Sequence, residues 1–322
     1  MSDINNIVLG IDIGGTKTSF GFVDRKGNII DANSIETKAN ESAEKFVSRL
    51  YQKIEEIRIC LPSTSSLCGI GIGAPNANYY RGTIEKPVNL NWGDTVDFIA
   101  LMQKFYHVPL SITNDANAAA IGEMLFGNAR EMKHFMIITL GTGVGSGIVV
   151  DGRLLYGASG IAGELGHTVV EPAGRQCRCG KRGCLETYAS SNGVVRTVSK
   201  LLAERYEPSP LREMTYREIT SKKVFELAQK GDKIALEAFD QTARILGMKL
   251  ADAVAHTSPE AIFLTGGLAM AGDVLLKPTK QYMEDFLFEP YRDTVKLVPS
   301  GIETGKGAIL GAAALILNEL AL

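Results

Sequence analysis

The chain has 322 residues, 45% of them hydrophobic and 22% charged, a balance that fits ordinary globular protein and leaves room for two domains. Lys and Arg total 34 against 36 Asp and Glu, so charge gives no support to a nucleic-acid or anionic-membrane surface. The polar start lacks the basic and apolar regions of a targeting peptide, and the longest apolar run is too short to span a bilayer, so a cytoplasmic protein is expected.

The first readable element is a strand ending in Ile11-Asp12-Ile13, followed by a turn, Gly14-Gly15-Thr16, and a second strand through Phe20-Gly21-Phe22-Val23-Asp24. A third strand is expected over 28–35. Residues 42–59 place Ala43, Phe46, Val47, Leu50, Ile54 and Ile57 on one helical face, and 67–73 read as the strand after it. Gly69-Ile70-Gly71-Ile72-Gly73-Ala74 has the spacing of a dinucleotide fingerprint, but Pro75 and Asn76 stand where its helix would have to open. An apolar segment, 108–112, leads into Thr113-Asn114-Asp115-Ala116-Asn117 and a helix start rich in small residues, 118–123.

The chain then repeats itself. Ile138-Thr139-Leu140-Gly141-Thr142-Gly143, followed by Gly147-Ile148-Val149-Val150-Asp151, matches the first hairpin with Gly14 on Gly141 and Asp24 on Asp151, the same offset of 127 in both cases. A third strand is again expected, over 153–156. Beyond it, 235–256 has a helical pattern, 261–265 reads as a short buried strand and 307–320 as a closing helix. Alternating helices and strands around a repeated hairpin imply two α/β lobes with mixed sheets that meet across a cleft. A glycine turn after a strand exposes successive backbone N–H groups and admits an anion closely, so each hairpin suits phosphate. Asp12 ends the first strand where it would hold Mg²⁺ through water, with Thr16 and Lys17 adding a hydroxyl and a cation. No G-x-x-x-x-G-K-[ST] segment is present, which excludes a P-loop.

Between the two last-named regions, one short stretch carries Glu164-Leu165-Gly166-His167, Cys177-Arg178-Cys179 and Cys184-Leu185-Glu186. Three thiolates and an imidazole, His167, Cys177, Cys179 and Cys184, make a complete tetrahedral set for Zn²⁺, which marks a closed structural site. Gly174, Gly180 and Gly183 are expected to supply the positive φ angles that turn the sulfurs inward. Unligated core cysteines are the alternative, but Arg175, Arg178, Lys181 and Arg182 would not suit a buried segment. Cys60 and Cys68 read as reduced packing residues, since five cysteines do not make a disulfide framework. At the end of a strand, Asp115 suits either a general base or a helix N-cap, and local sequence leaves both open.

Asp12-Ile13-Gly14-Gly15-Thr16-Lys17, Asn114-Asp115, Leu140-Gly141-Thr142-Gly143-Val144-Gly145, Gly163-Glu164-Leu165-Gly166-His167 and Cys177-x-Cys-Gly-x-x-Gly-Cys-Leu-Glu186 stand in the order of the ROK family of sugar kinases, repressors and related open reading frames, which the chain resembles over almost its whole length. The resemblance implies an actin-like, ribonuclease-H-like ATPase fold. Its lobes would be 1–118 plus 304–322 and 119–303, the second holding the zinc loop, with ATP and a hexose in the interlobe cleft. It implies Thr265-Gly266-Gly267 as the adenosine-binding turn, Asp115 as the base, the 6-hydroxyl as acceptor of the γ-phosphoryl group, and a homodimer or homotetramer. For the sugar, Glu164 and Glu186 can each accept from adjacent hydroxyls, and Asn89 and Asn114 can donate and accept. His167 would bind zinc with one ring nitrogen and leave the other for the sugar or a carboxylate. This set is similar to the glucokinase branch, although N-acetylglucosamine and N-acetylmannosamine kinases share nearly all of it. Pro75-Asn76 departs from the Pro-Gly frequent in glycolytic members, which leaves room for an acetamido group. The family's repressors carry a winged helix-turn-helix before the first hairpin, whereas here the first strand begins by Ile7, so regulation is the less expected role.

Overall fold

The computed structural model describes residues 6–87, 90–303 and 305–321, so Asn89 lies outside the described residues. They form two compact units. The first takes the chain up to Met132, then Leu154–Ala162, then the residues from Gly301 on; the second takes Lys133–Arg153 and Gly163–Ser300. In the first unit the chain runs β1 (Asn6–Ile13), β2 (Lys17–Asp24), β3 (Ile29–Glu36), α1 (Ala43–Arg58), β4 (Ser66–Gly73), a small sheet of β5 (Ala77–Asn78), β6 (Thr83–Glu85) and β7 (Thr95–Asp97), α2 (Phe98–Gln103), β8 (Leu110–Thr113) and α3 (Asp115–Phe126). The second runs β9 (Phe135–Leu140), β10 (Val144–Val150), β11 (Arg153–Leu154), α4 (Glu186–Ala189), α5 (Ser191–Glu204), α6 (Ser221–Ala228), α7 (Lys233–Thr257), β12 (Ala261–Thr265), α8 (Asp273–Phe286) and β13 (Lys296–Pro299), before α9 (Gly307–Glu319) returns to the first unit.

The two large sheets share one connectivity, β3-β2-β1-β4-β8 and β11-β10-β9-β12-β13. In each, a hairpin supplies the antiparallel pairs and two following strands add in parallel. The strand order thus reproduces the sequence repeat. Parallel strands covered on both faces are apolar throughout, and residues 7–11 of β1 are all buried. One face takes α1, whose N-cap Ser42 accepts from the Lys45 N–H and whose Phe46, Val47, Leu50 and Ile54 enter the core. The other takes α9 at very short range. A Cβ at Gly10 or Gly71 would fall onto the carbonyls of Ile309 or Ala312, so these glycines let the helix backbone lie directly on the sheet. The Gly69–Gly73 run is therefore a packing surface rather than a nucleotide turn. α9 meets α3 through small residues as well: a Cβ at Gly122 would be 3.0 Å from the Gly311 Cα.

That crossing corrects the expected domain boundary at 118. Because α3 packs on α9, residues 119–132 stay with the first unit, and the chain rejoins it at Gly301 rather than at 304. The third strand of the second repeat is also shorter than the expected 153–156, since the chain leaves the second unit after Arg153. Cys60 is exposed past the end of α1 and Cys68 half-buried, so Cys60 is no packing residue. Among the described residues, no helix is long and apolar enough to cross a membrane.

Candidate active site and metal-binding loop

In the first unit, two carboxylates flank the glycine that ends β4. A Cβ built on Gly73 would be 3.5 Å from Asp12 Oδ1 and 3.9 Å from the Asp115 Cα. The neighbouring Asn114 decides the role left open for Asp115. Asn114 is the N-cap of α3, its Oδ1 accepting from the Asn117 N–H at 2.7 Å, and Asp115 is the first helical residue. Asp115 Oδ1 accepts from its neighbour, the Ala116 N–H at 2.9 Å. Its surface is open to solvent, yet the protein atoms crowded around it push its pKa above the ordinary carboxylate range. An exposed carboxylate held above its ordinary range suits a proton acceptor. Asp12 is pushed up to about 7 by burial first and by the Asp115 charge second. Two such acids cannot both ionise cheaply without a cation, which is the donor chemistry a Mg²⁺ site requires.

This has a consequence for stability. Between the ordinary aspartate range and pH 7 the folded chain keeps a proton on Asp12 that the unfolded chain has lost, so Asp12 costs stability increasingly as pH rises through that window. Asp12→Asn is expected to raise the metal-free Tm by a few degrees at pH 8, with the gain vanishing towards pH 4. Thermal melts in chelator at both pH values would show it.

Both glycine hairpins are closed by a backbone bond from their first glycine. The Gly14 N–H donates to the Lys17 carbonyl at 3.0 Å and the Gly141 N–H to the Gly143 carbonyl at 3.0 Å. The amides of Gly15 and Thr16, and of Thr142 and Gly143, make no hydrogen bond among the described residues. A Cβ at Gly141 would meet nothing within 4 Å, leaving open space above the turn, whereas one at Gly143 would be 2.7 Å from Glu186 Oε2. Free adjacent amides under open space fit a phosphate. The second hairpin continues into an apolar cavity of about 420 Å³ lined by Phe225, Phe239, Leu268, Met270 and Gly267, and by Ser191, whose N–H holds the Gly141 carbonyl at 2.9 Å. Gly266, at φ +95°, leaves no room for a Cβ beside the Leu140 carbonyl 2.6 Å away, and the Leu268 N–H donates to that carbonyl at 2.9 Å. The glycine turn and the apolar pocket are therefore hooked to one residue, Leu140.

The metal donors converge. One ligand atom from each of His167, Cys177, Cys179 and Cys184 lies within 4.8 Å of the others. Cys179 and Cys184 sulfurs are 3.6 Å apart, and Cys177 Sγ is 3.7 Å from His167 Nδ1. A tetrahedron with Zn–S bonds of about 2.3 Å has edges of about 3.8 Å, so the set fits zinc, with Nδ1 as the histidine donor. Burial pushes the Cys177 and Cys184 thiols up, while at Cys179 burial is overridden by the Lys181 amide and the neighbouring thiols, which hold it below the usual range. Gly180 and Gly183 have the expected positive φ, at +91° and +75°. Gly174 does not, and its requirement is space, since a Cβ would collide with the Tyr188 hydroxyl.

Glu186 opens α4 directly after this loop, with Oε1 2.9 Å from Cys177 Sγ and Oε2 against Gly143, so the metal loop and the second hairpin share one carboxylate. Glu164 is exposed and its carbonyl accepts from the His167 N–H at 3.1 Å. Asn76 has φ +55° and donates from Nδ2 to the Lys86 carbonyl at 2.9 Å, so this departure from Pro-Gly spends its side chain on the backbone.

Duplicated sheets, each opening on a glycine hairpin with free amides, define an α/β, actin-like ATPase fold. The ROK family profile matches residues 8–319, and the chain belongs to that family. It is 36% identical to the glucokinase of Halalkalibacterium halodurans over 307 residues, covering 94% of this chain and 93% of that one. The ROK family glucokinase of Streptomyces griseus, solved in complex with glucose and AMPPNP, superposes with a TM-score of 0.81 at 30% identity over 96% of this chain and 98% of that one. A ROK family transcriptional regulator, a homologue of the E. coli MLC protein, reaches 0.88 at 28% identity, with 99% of this chain covering 79% of it.

Proposed function

We propose that the protein is an ATP-dependent hexose kinase that phosphorylates the 6-hydroxyl of glucose, with Asp115 as general base. The observation that carries this reading is Asp115 itself: a reachable carboxylate, made more basic by its surroundings, at the start of a helix whose cap is supplied by another residue, Asn114. As the sugar oxygen bonds to the γ-phosphorus, its proton passes to Asp115 and the bond from phosphorus to the bridging oxygen of ADP breaks. The free amides at Gly15, Thr16, Thr142 and Gly143 would take phosphate oxygens, with Gly14, Lys17 and Gly141 shaping the two turns. Gly266, Gly267 and the adjoining cavity would take the adenine. Mg²⁺ bound with the nucleotide neutralises phosphate charge, and Asp12 is the residue that would hold it through water.

Sugar hydroxyls fall to Asn114, whose Nδ2 has no partner among the described residues, and to Glu164, His167, Glu186 and Asn89. With Nδ1 on zinc, His167 keeps Nε2 for the sugar or a carboxylate. Likeness to glucokinases favours glucose over N-acetylglucosamine or N-acetylmannosamine. Likeness to a regulator supports a second reading, a sugar sensor that consumes no ATP. Incubation with ATP-Mg²⁺ and glucose, mannose, fructose or either N-acetylhexosamine separates these. The expected result is the highest kcat/KM for glucose, with phosphorus on the 6-oxygen by NMR. Sugar binding without ATP consumption would establish the sensor, and sugar-independent ATP hydrolysis would remove both.

A further inference from the structure

Arg175 stands in the metal loop two residues before Cys177. Its charge reads as unsuited to a buried segment, yet the structure half-buries it and turns the guanidinium onto α4 and α5. Nη1 donates to the Thr187 carbonyl at 2.8 Å and to the Gly193 carbonyl at 3.0 Å, and Nη2 donates to Thr197 Oγ1 at 2.9 Å. The guanidinium carbon lies 4.4 Å from the centroid of the Tyr188 ring, within cation–π range, and the Arg175 N–H donates to the Tyr188 hydroxyl at 3.0 Å.

The Thr187 carbonyl needs such a donor. In a continuing helix it would accept from the Ser191 N–H, but α4 stops at Ala189 and that amide is spent on the Gly141 carbonyl at 2.9 Å. Arg175 fills the place with a charge-assisted bond. Thr187 in turn donates from Oγ1 and from its N–H to the Cys184 carbonyl, at 2.8 and 3.0 Å, and the Arg175 carbonyl accepts from the Gly183 N–H at 2.8 Å. A closed circuit of bonds thus runs from Arg175 through Thr187 and Cys184 to Gly183 and back. Glu186 stands inside it, between Cys184 and Thr187. None of these bonds uses a metal-donor atom, so the circuit can hold the donors at their spacing ahead of any ion.

We propose that Arg175 is a positioning residue: it presets the metal loop and, through Thr187, the neighbouring Glu186. The proposal rests on the zinc site and on Glu186 as a sugar ligand. Arg175→Lys keeps the charge and loses the planar fork that reaches two carbonyls and a hydroxyl together, and Arg175→Met loses both. Each is expected to weaken zinc at least about tenfold in competition with a chromophoric chelator, and to raise the glucose KM several-fold while kcat and the ATP KM stay close to the parent's. Parent zinc affinity in Arg175→Lys would mean that the cation acts by charge alone, and would overturn the proposal. In chelator, with no metal bound, native-state hydrogen exchange of the Gly183 amide is expected to quicken several-fold in both variants. Thr197→Val removes one acceptor and keeps the side-chain shape. It is expected to shift zinc affinity and exchange about threefold in the same direction, and it carries the test if the arginine variants fail to fold. A lowered Tm with parent-like zinc affinity, exchange and glucose KM would overturn the proposal. Glu186→Gln separates the two readings: weak glucose binding in Glu186→Gln beside a parent-like glucose KM in Arg175→Lys sinks the positioning of Glu186, whereas parent-like binding in Glu186→Gln sinks its sugar role and leaves the loop to be judged by zinc and exchange.

Discussion

Asp115→Asn is expected to lower kcat about 10²- to 10⁴-fold, the usual contribution of a general base, and to leave sugar affinity close to the parent's. The substitution is nearly isosteric. An asparagine Oδ1 can still accept from the Ala116 N–H, as Asp115 does at 2.9 Å, and the cap on α3 belongs to Asn114, so the helix start is undisturbed. What disappears is the site that receives the proton. Equilibrium titration with glucose, beside single-turnover phosphorylation, separates the two effects. Near-normal turnover would dismiss Asp115 as base and pass attention to Asp12, whose carboxyl also stands far above its ordinary range.

Removing zinc should produce the opposite kinetic pattern. Stripping the metal, or substituting Cys184→Ser, is expected to raise the sugar KM at least about tenfold, the scale seen when a metal site loses its supports, with a smaller effect on kcat for bound sugar. The reason is Glu186, which follows the loop directly, touches Cys177 Sγ and packs on Gly143. His167 would lose its fixed ring orientation at the same time. Since burial raises the Cys177 and Cys184 thiols, metal binding must expel protons, and zinc retention should weaken as pH falls. Unchanged sugar affinity in a sample shown to be metal-free would refute this linkage.

Repetition made the fold legible. Two hairpins at one offset yielded two sheets of one connectivity, because a strand, turn and strand of the same composition bury the same faces. Cysteine and histidine spacing was equally readable, since four donors in one segment have few other ways to be satisfied. Helices α5, α6 and α8 left less trace, as they carry no motif and only their packing singles them out. The domain boundary was hidden for a related reason: the glycines and alanines of α3 and α9 look like generic helix, and only their close crossing assigns 119–132 to the first unit. Gly71 read as punctuation when its purpose is contact with a helix more than two hundred residues away in sequence.

The position of α9 bears on how the polypeptide is made. The strand that begins at Asn6 has one face covered by a helix that ends at Glu319, so during synthesis that face stays uncovered until this distant helix has been made. All of the second unit is made before that helix, so the earliest strands are completed after it. Such a long-range closure is slow and prone to aggregation, which makes the nascent N-terminal sheet the natural client for a chaperone.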